Sequence, residues 1–134
     1  LNEKRIVSGG DDSLVKIWKE KEDGTWELEC RLDGHTDWVR DVAWSPIVMQ
    51  NVHCIASCGQ DKKVIIWRCS DIAQKKWSGS SIEEFEDALW HVSWSLCGRM
   101  LAVSGGDNKI SLWRENLQNQ WIRISDAEAE KKAD

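Results

Sequence analysis

The chain has 134 residues and a formal net charge of −5, with 23 acidic and 18 basic side chains interspersed along it. That balance offers no electrostatic footprint for nucleic acid or an anionic membrane surface. No stretch approaches the roughly 18 consecutive apolar residues that a membrane-spanning helix needs.

The first element is a phrase that the chain speaks three times. Residues 6–18 read Ile-Val-Ser-Gly-Gly-Asp-Asp-Ser-Leu-Val-Lys-Ile-Trp, and residues 55–67 read Ile-Ala-Ser-Cys-Gly-Gln-Asp-Lys-Lys-Val-Ile-Ile-Trp. Residues 101–113 read Leu-Ala-Val-Ser-Gly-Gly-Asp-Asn-Lys-Ile-Ser-Leu-Trp. Each is an apolar run, a small-residue turn, an Asp six residues before a Trp, and a second apolar run. This predicts three hairpins turning at Asp12-Ser13, Asp61-Lys62 and Asp107-Asn108. The closing tryptophans lie 49 and then 46 residues apart, a period that signals a repeat architecture. Leu1 is not an initiating methionine and residues 2–4 run almost directly into the first hairpin, so the chain is expected to be the C-terminal part of a longer protein.

After the first hairpin, residues 19–24 form a charged turn and residues 25–30 alternate like a half-exposed strand. The same element recurs at 77–85 and 120–124, which adds a third, more polar strand to the outer side of each hairpin. Residues 34–37, Gly-His-Thr-Asp, lead into Trp38-Val39-Arg40-Asp41-Val42-Ala43-Trp44. Its relative is Ala88-Leu89-Trp90-His91-Val92-Ser93-Trp94, and the two align on Trp44 and Trp94 as the innermost strand of each unit. Four antiparallel strands per unit, with a third strand apolar on both faces at Val64-Ile65-Ile66-Trp67, require neighbours above and below. The fold class is therefore all-β, a partial β-propeller of about two and three-quarter four-stranded blades. Residues 1–33 form a partial blade (strands two to four), 34–86 a complete blade and 87–124 the last blade. Residues 46–53 and 69–76 are insertions, and 125–134 a polar tail expected to be disordered.

Two residue types need a reading of their own. Of the ten tryptophans, eight end the third strands (Trp18, Trp67, Trp113), sit on the first (Trp44, Trp94) or open the fourth (Trp26, Trp77, Trp121). They could stack sugars or bases, but recurrence at equivalent positions favours wedges between sheets, each costing roughly 3–5 kcal/mol when cut to Ala. Five cysteines make an odd count without a Cys-x-x-Cys pair. His53, Cys54 and Cys58 could be metal ligands, yet the parity of Cys54 and Cys58 places both on one face of a strand. The expectation is reduced, buried thiols, a cytosolic compartment and no cofactor.

His35, Ser57, Asp61 and Trp67 come in the order and spacing of the structural tetrad of WD repeats, and the chain resembles that family. An imidazole can link a strand-two hydroxyl to a carboxylate in the hairpin turn while an indole N–H closes the network. Ser, His and Asp together also suggest a hydrolase, but no Gly-x-Ser-x-Gly elbow surrounds Ser57, and no enzyme is expected. In the last unit Phe85 falls where His35 would be and Ser104 lies one residue closer to its Trp, so no tetrad is expected there. The Asp of the Trp-Asp pair is replaced by Lys19, Arg68 and Arg114.

Within the family, residues 37–44, 90–94 and 101–109 resemble the propeller subunits shared by the outer cage of the COPII vesicle coat and the Y-shaped scaffold of the nuclear pore. The resemblance implies an open six-bladed, non-enzymatic propeller whose missing seventh blade is inserted by a larger partner. That partner would be a COPII cage subunit of Sec-thirty-one type or an α-helical nucleoporin, and a lysosomal nutrient-signalling complex is a further host. It implies no direct nucleic-acid contact, membrane association only through the coat, and a place in the cytoplasm, on COPII-coated vesicles and the endoplasmic reticulum, and at the nuclear pore. Trp38, Arg40 and Trp90 are candidate partner contacts on the top face, beside Asp11, Gln60 and Gly106 at the hairpin turns. The alternative is that Trp38 and Trp90 cap the core. Residues 90–94, 101–103 and 110–113 are expected to face the donated blade. The rival function is a peptide-binding WD-repeat adaptor or substrate receptor.

Overall fold

The computed structural model describes residues 3–82 and 85–128. Strands β1 (Arg5–Gly9), β2 (Leu14–Glu20) and β3 (Trp26–Asp33) form a three-stranded antiparallel sheet. The second sheet holds β4 (Val39–Trp44), β5 (His53–Gly59), β6 (Val64–Cys69) and β7 (Trp77–Ser81). The third holds β8 (Leu89–Trp94), β9 (Met100–Gly105), β10 (Lys109–Glu115) and β11 (Trp121–Glu128). Within every sheet the strands follow chain order, so each is a meander that needs no crossover.

The three predicted hairpins share one turn. Ser13, Lys62 and Asn108 are left-handed, with φ of 68°, 65° and 58°. Their N–H groups donate to the carbonyls of Gly10, Gly59 and Gly105 at 3.3, 3.2 and 3.1 Å. The recurring aspartates hold this shape: Asp12, Asp61 and Asp107 accept the N–H two residues on, from Leu14, Lys63 and Lys109, at 3.1, 3.3 and 3.0 Å.

Two apolar layers lie between the sheets. Val15, Ile17 and Leu32 of the first sheet meet Val39, Ile55, Ile65 and Trp67 of the second. On the other side Ala56, Cys58, Val64 and Ile66 meet Leu89, Val92, Leu101, Val103 and Trp113 of the third. β6 thus sends alternate side chains into both layers, the reason its sequence is apolar without interruption. Adjacent sheets are also joined by hydrogen bonds to the inner strands: Val39 N–H donates to Gly10 C=O in the first sheet's hairpin turn at 3.0 Å, and the Trp94 indole donates to Ala43 C=O at 2.9 Å.

The tryptophan wedges recur as pairs. Trp44 stands edge-on to Trp77 at 5.7 Å and Trp94 to Trp121 at 5.8 Å, in each case joining the first and fourth strands of one sheet. Trp26 departs from the wedge expectation, because it is 41% exposed at the free edge of the first sheet.

Three boundaries move. The fourth strand expected over 77–85 is β7, only Trp77–Ser81, although Ile82 and Phe85 still donate to the carbonyls of Val64 and Lys62 at 2.8 and 2.9 Å. The tail expected to be disordered from residue 125 instead continues β11 to Glu128, whose backbone pairs with Lys109. The register shifts by one residue at a bulge between Leu112 and Trp113, where Leu112 pairs with Ser125 and Trp113 with Arg123. The remainder of that tail, 129–134, lies outside the described residues. Finally, β5 begins at His53, so the first insertion ends in the small hairpin that pairs Met49 with Val52.

Candidate functional site

The loop between β3 and β4 brings His35 over the middle sheet, where it meets Ser57 of β5, Asp61 of the β5–β6 turn and Trp67 of β6. The indole N–H of Trp67 donates to Ser57 Oγ at 2.9 Å. Ser57 Oγ lies 2.7 Å from His35 Nε2, and His35 Nδ1 lies 2.9 and 3.1 Å from the two Asp61 oxygens. The indole can only donate and the ionised carboxylate can only accept. The arrangement that satisfies every group therefore has Nδ1–H on Asp61 and the Ser57 hydroxyl donating to Nε2. Asp61 also accepts Thr36 N–H at 3.0 Å, which ties the incoming loop to the turn. His35, Ser57 and Trp67 are buried, so the serine that a hydrolase would need is sealed from any substrate. The constellation holds the blade together.

The other two sheets carry fragments of it. Trp18 donates to Ser8 Oγ at 2.9 Å in the same register. In the last sheet Trp113 donates to Ser111 Oγ at 2.9 Å, two residues back on its own strand, and not to Ser104. Phe85 stands in for the imidazole and packs on Trp113 at 5.4 Å, with the Arg123 guanidinium 5.1 Å above the indole.

The three candidate contacts belong to the inner strands or the approach to them, and two of them, Trp38 and Arg40, touch. Trp38 is 49% exposed and Trp90 55%, so neither caps the core. Arg40 stacks 5.0 Å over the Trp38 ring and donates through Nε and Nη2 to Gln60 Oε1 at 3.2 and 2.9 Å. The expected docking face needs dividing. Val92, Leu101, Val103 and Trp113 are buried against the middle sheet. The opposite, uncovered side therefore carries their neighbours Ser93, Ala102, Ile110 and Leu112.

Sequence reasoning missed the residue that joins the last two sheets. Asp41 Oδ2 accepts Val92 N–H at 2.9 Å and stands 2.6 Å from His91 Nδ1. The signal was present in the alignment on Trp44 and Trp94, which sets Asp41 opposite His91 with different chemistry. At the rim Arg68 and Glu115, the first replacing the family's aspartate, form an ion pair between the same two sheets.

The thiols differ from expectation. Cys58 and Cys69 are buried, Cys30 and Cys54 half-buried, and Cys97 is exposed in the β8–β9 loop. Burial, helped by the Asp41 charge, pushes the Cys58 thiol up to about 12. The exposed Cys97 is lowered by its contact with Ser95 and the Arg99 backbone. Among the described residues no group of three or more His, Cys, Asp or Glu side chains is placed to hold a metal ion. Burial, with the Arg5 charge second, pushes His53 below its ordinary value, and its Nδ1 lies buried without a hydrogen-bond partner among the described residues.

Four-stranded meanders stacked face to face with a buried Trp-Ser-His-Asp network define blades of a propeller. The WD domain, G-beta repeat family matches residues 2–19, 26–68 and 78–114, and the chain belongs to that WD-repeat family. Among individual proteins it is similar to the Protein SEC13 homolog of Homo sapiens, 53% identical over 123 residues that cover 92% of this chain and 38% of that protein. It is 50% identical over 122 residues to the Protein SEC13 homolog of Drosophila melanogaster, covering 91% of this chain and 34% of that one. The Protein transport protein sec13 of Aspergillus fumigatus is 50% identical over 127 residues, 94% of this chain and 41% of that protein. The chain thus spans well under half the length of these relatives.

Proposed function

We propose that this chain is part of a non-enzymatic scaffold subunit of the outer cage of the COPII coat, serving protein transport from the endoplasmic reticulum. The observation that carries this reading is about 50% identity to the SEC13 proteins across nearly the whole of a chain that itself matches WD repeats. The stack of sheets is consistent with it. Its last sheet leaves Ile110 and Leu112 half-buried on a face that nothing described here covers. In the complete protein that face accepts a seventh blade from the larger cage subunit, or from an α-helical nucleoporin when the same subunit serves the nuclear pore. The protein works on the cytoplasmic side and reaches membranes through the coat. Affinity purification of the complete protein, with partners identified by mass, tests this: recovery of a cage-forming coat subunit at one-to-one stoichiometry supports it, and its absence refutes it.

A second reading has its own observation. Trp38 and Trp90 are each about half exposed, and Arg40 stacks on Trp38, aromatic surface suited to an extended peptide in an adaptor or substrate receptor. Loss of a partner on Trp90→Ala, with the coat subunit still bound, favours that role.

A further inference from the structure

The turn that opens β7 carries charge that the fold leaves unpaired. Lys75 and Lys76 are exposed, Lys75 in the left-handed conformation with φ of 56°, and neither forms an ion pair among the described residues. Two residues beyond Lys76 stands Ser78, exposed on a strand that ends its sheet. It is the one Ser or Thr of the chain with a basic residue at both the second and the third position before it. Kinases select substrates by charge pattern, and two lysines just ahead of an exposed hydroxyl suit one with an acidic cleft. What lies across the ladder gives such a modification a consequence. Ser78 pairs with Arg68 of β6, and its hydroxyl donates to the Arg68 carbonyl at 3.5 Å. Residues directly opposite share a face of the sheet, their Cβ atoms about 5 Å apart. That face is turned toward the last sheet, because the Arg68 guanidinium pairs there with Glu115 of β10. The ion pair is partly wet, with 30% and 25% of the two side chains exposed, and it uses one carboxylate oxygen. The other, Glu115 Oε1, is buried with no hydrogen-bond partner among the described residues. A phosphate carries more charge than a carboxylate and fills the guanidinium fork with two parallel bonds.

We propose that Ser78 is a phosphorylation site for a serine kinase selective for basic residues, and that its phosphate draws Arg68 away from Glu115. In the transfer Ser78 Oγ attacks the γ-phosphorus of ATP and the bond from that phosphorus to the β,γ-bridging oxygen breaks. The hydroxyl proton passes to the kinase's carboxylate base, and ADP leaves. The backbone ladder of β7 is kept, since the new group stands on an exposed side chain. A contact between two sheets is exchanged for one within the middle sheet, so the last sheet loses its tie at the outer rim.

The test incubates the complete protein with ATP and the catalytic subunit of cAMP-dependent protein kinase, which takes this charge pattern, and maps the phosphate by mass spectrometry. Phosphate on Ser78 is expected, none on that segment in Ser78→Ala, and an initial rate lowered about tenfold when Lys75→Ala and Lys76→Ala are combined. Phosphate on Ser80 or Ser81 instead overturns the site. So does a folded protein that takes none while the free peptide 73–82 takes it. The consequence is read by hydrogen exchange over residues 109–123. Phosphorylation should speed exchange there about threefold, the usual size of a partly exposed ion pair. Unmodified Glu115→Gln should show the same increase, and phosphorylating that variant should add nothing further. Exchange that phosphorylation leaves unchanged, or changes equally in wild type and Glu115→Gln, overturns the transfer of Arg68.

Discussion

The indole of Trp113 finds its acceptor on its own strand, in Ser111, while Trp67 reaches across the ladder to Ser57. The registers explain the change. Ser57 pairs with Ile65 in the middle sheet, and Val103 pairs with Ser111 in the last, so the hydroxyl and the apolar side chain have exchanged strands. Ser111→Ala leaves a buried indole N–H unpaired and should cost about 1–3 kcal/mol in denaturant unfolding. Ser104→Ala, one position off the network, should stay within about 0.5 kcal/mol of wild type. His53 sets a pH dependence. Its folded pKa lies below the unfolded value of 6.5, so the unfolded chain binds more protons in the interval between them. Its contribution to stability is intact above pH 6.5 and declines as pH falls toward the folded value. The gap in melting temperature between pH 7.5 and about pH 5.5 should therefore narrow in His53→Gln. At this scale the His35 network was legible because its four residue types recur at fixed spacing. The Ser111 substitution was not, since a serine on an otherwise apolar strand carries no mark of which indole it serves.

Each hairpin turn is held by an aspartate and left-handed at the next residue, yet that residue is Ser13, Lys62 or Asn108. Asn tolerates this conformation; lysine has no local hydrogen bond to offset it. Lys62→Gly should stabilise the protein by about 1 kcal/mol, read from the denaturant midpoint at unchanged slope. The hairpins themselves were readable from the threefold phrase, since alternation and turn chemistry agree. Strand ends were less so. β11 runs through Ser125-Asp126-Ala127-Glu128, where composition suggests a solvated tail, because an edge strand needs only backbone partners on one side and β10 provides them. The stretches expected to face a partner divide between two sides for a similar reason. Contiguous stretches were named, whereas a strand divides its residues between two faces, and Leu101, Val103 and Trp113 went to the buried one.

The molecule as described is a stack in which each sheet touches only its neighbours, so stability is a sum of sheet and junction contributions. The junction between the last two sheets rests on Asp41 at the inner end and a buried apolar layer behind it. Asp41→Ala should separate the unfolding of the last sheet from that of the middle one, seen as two resolved transitions by calorimetry where the parent shows one. Propeller architecture was visible from sequence because the unit repeats; the join between units was not, since Asp41 and His91 differ from one unit to the next.

The Arg68–Glu115 ion pair lies at the outer rim between the same two sheets, with both side chains still in contact with water. At the inner end the Trp94 indole holds the Ala43 carbonyl without any charge, while the outer end is held by charges that dissolved ions screen. The two sheets therefore resemble a hand fan riveted at the hub and clipped at the margin. Raising ionic strength loosens the clip and leaves the rivet, so the wedge angle becomes softer while the assembly stays whole.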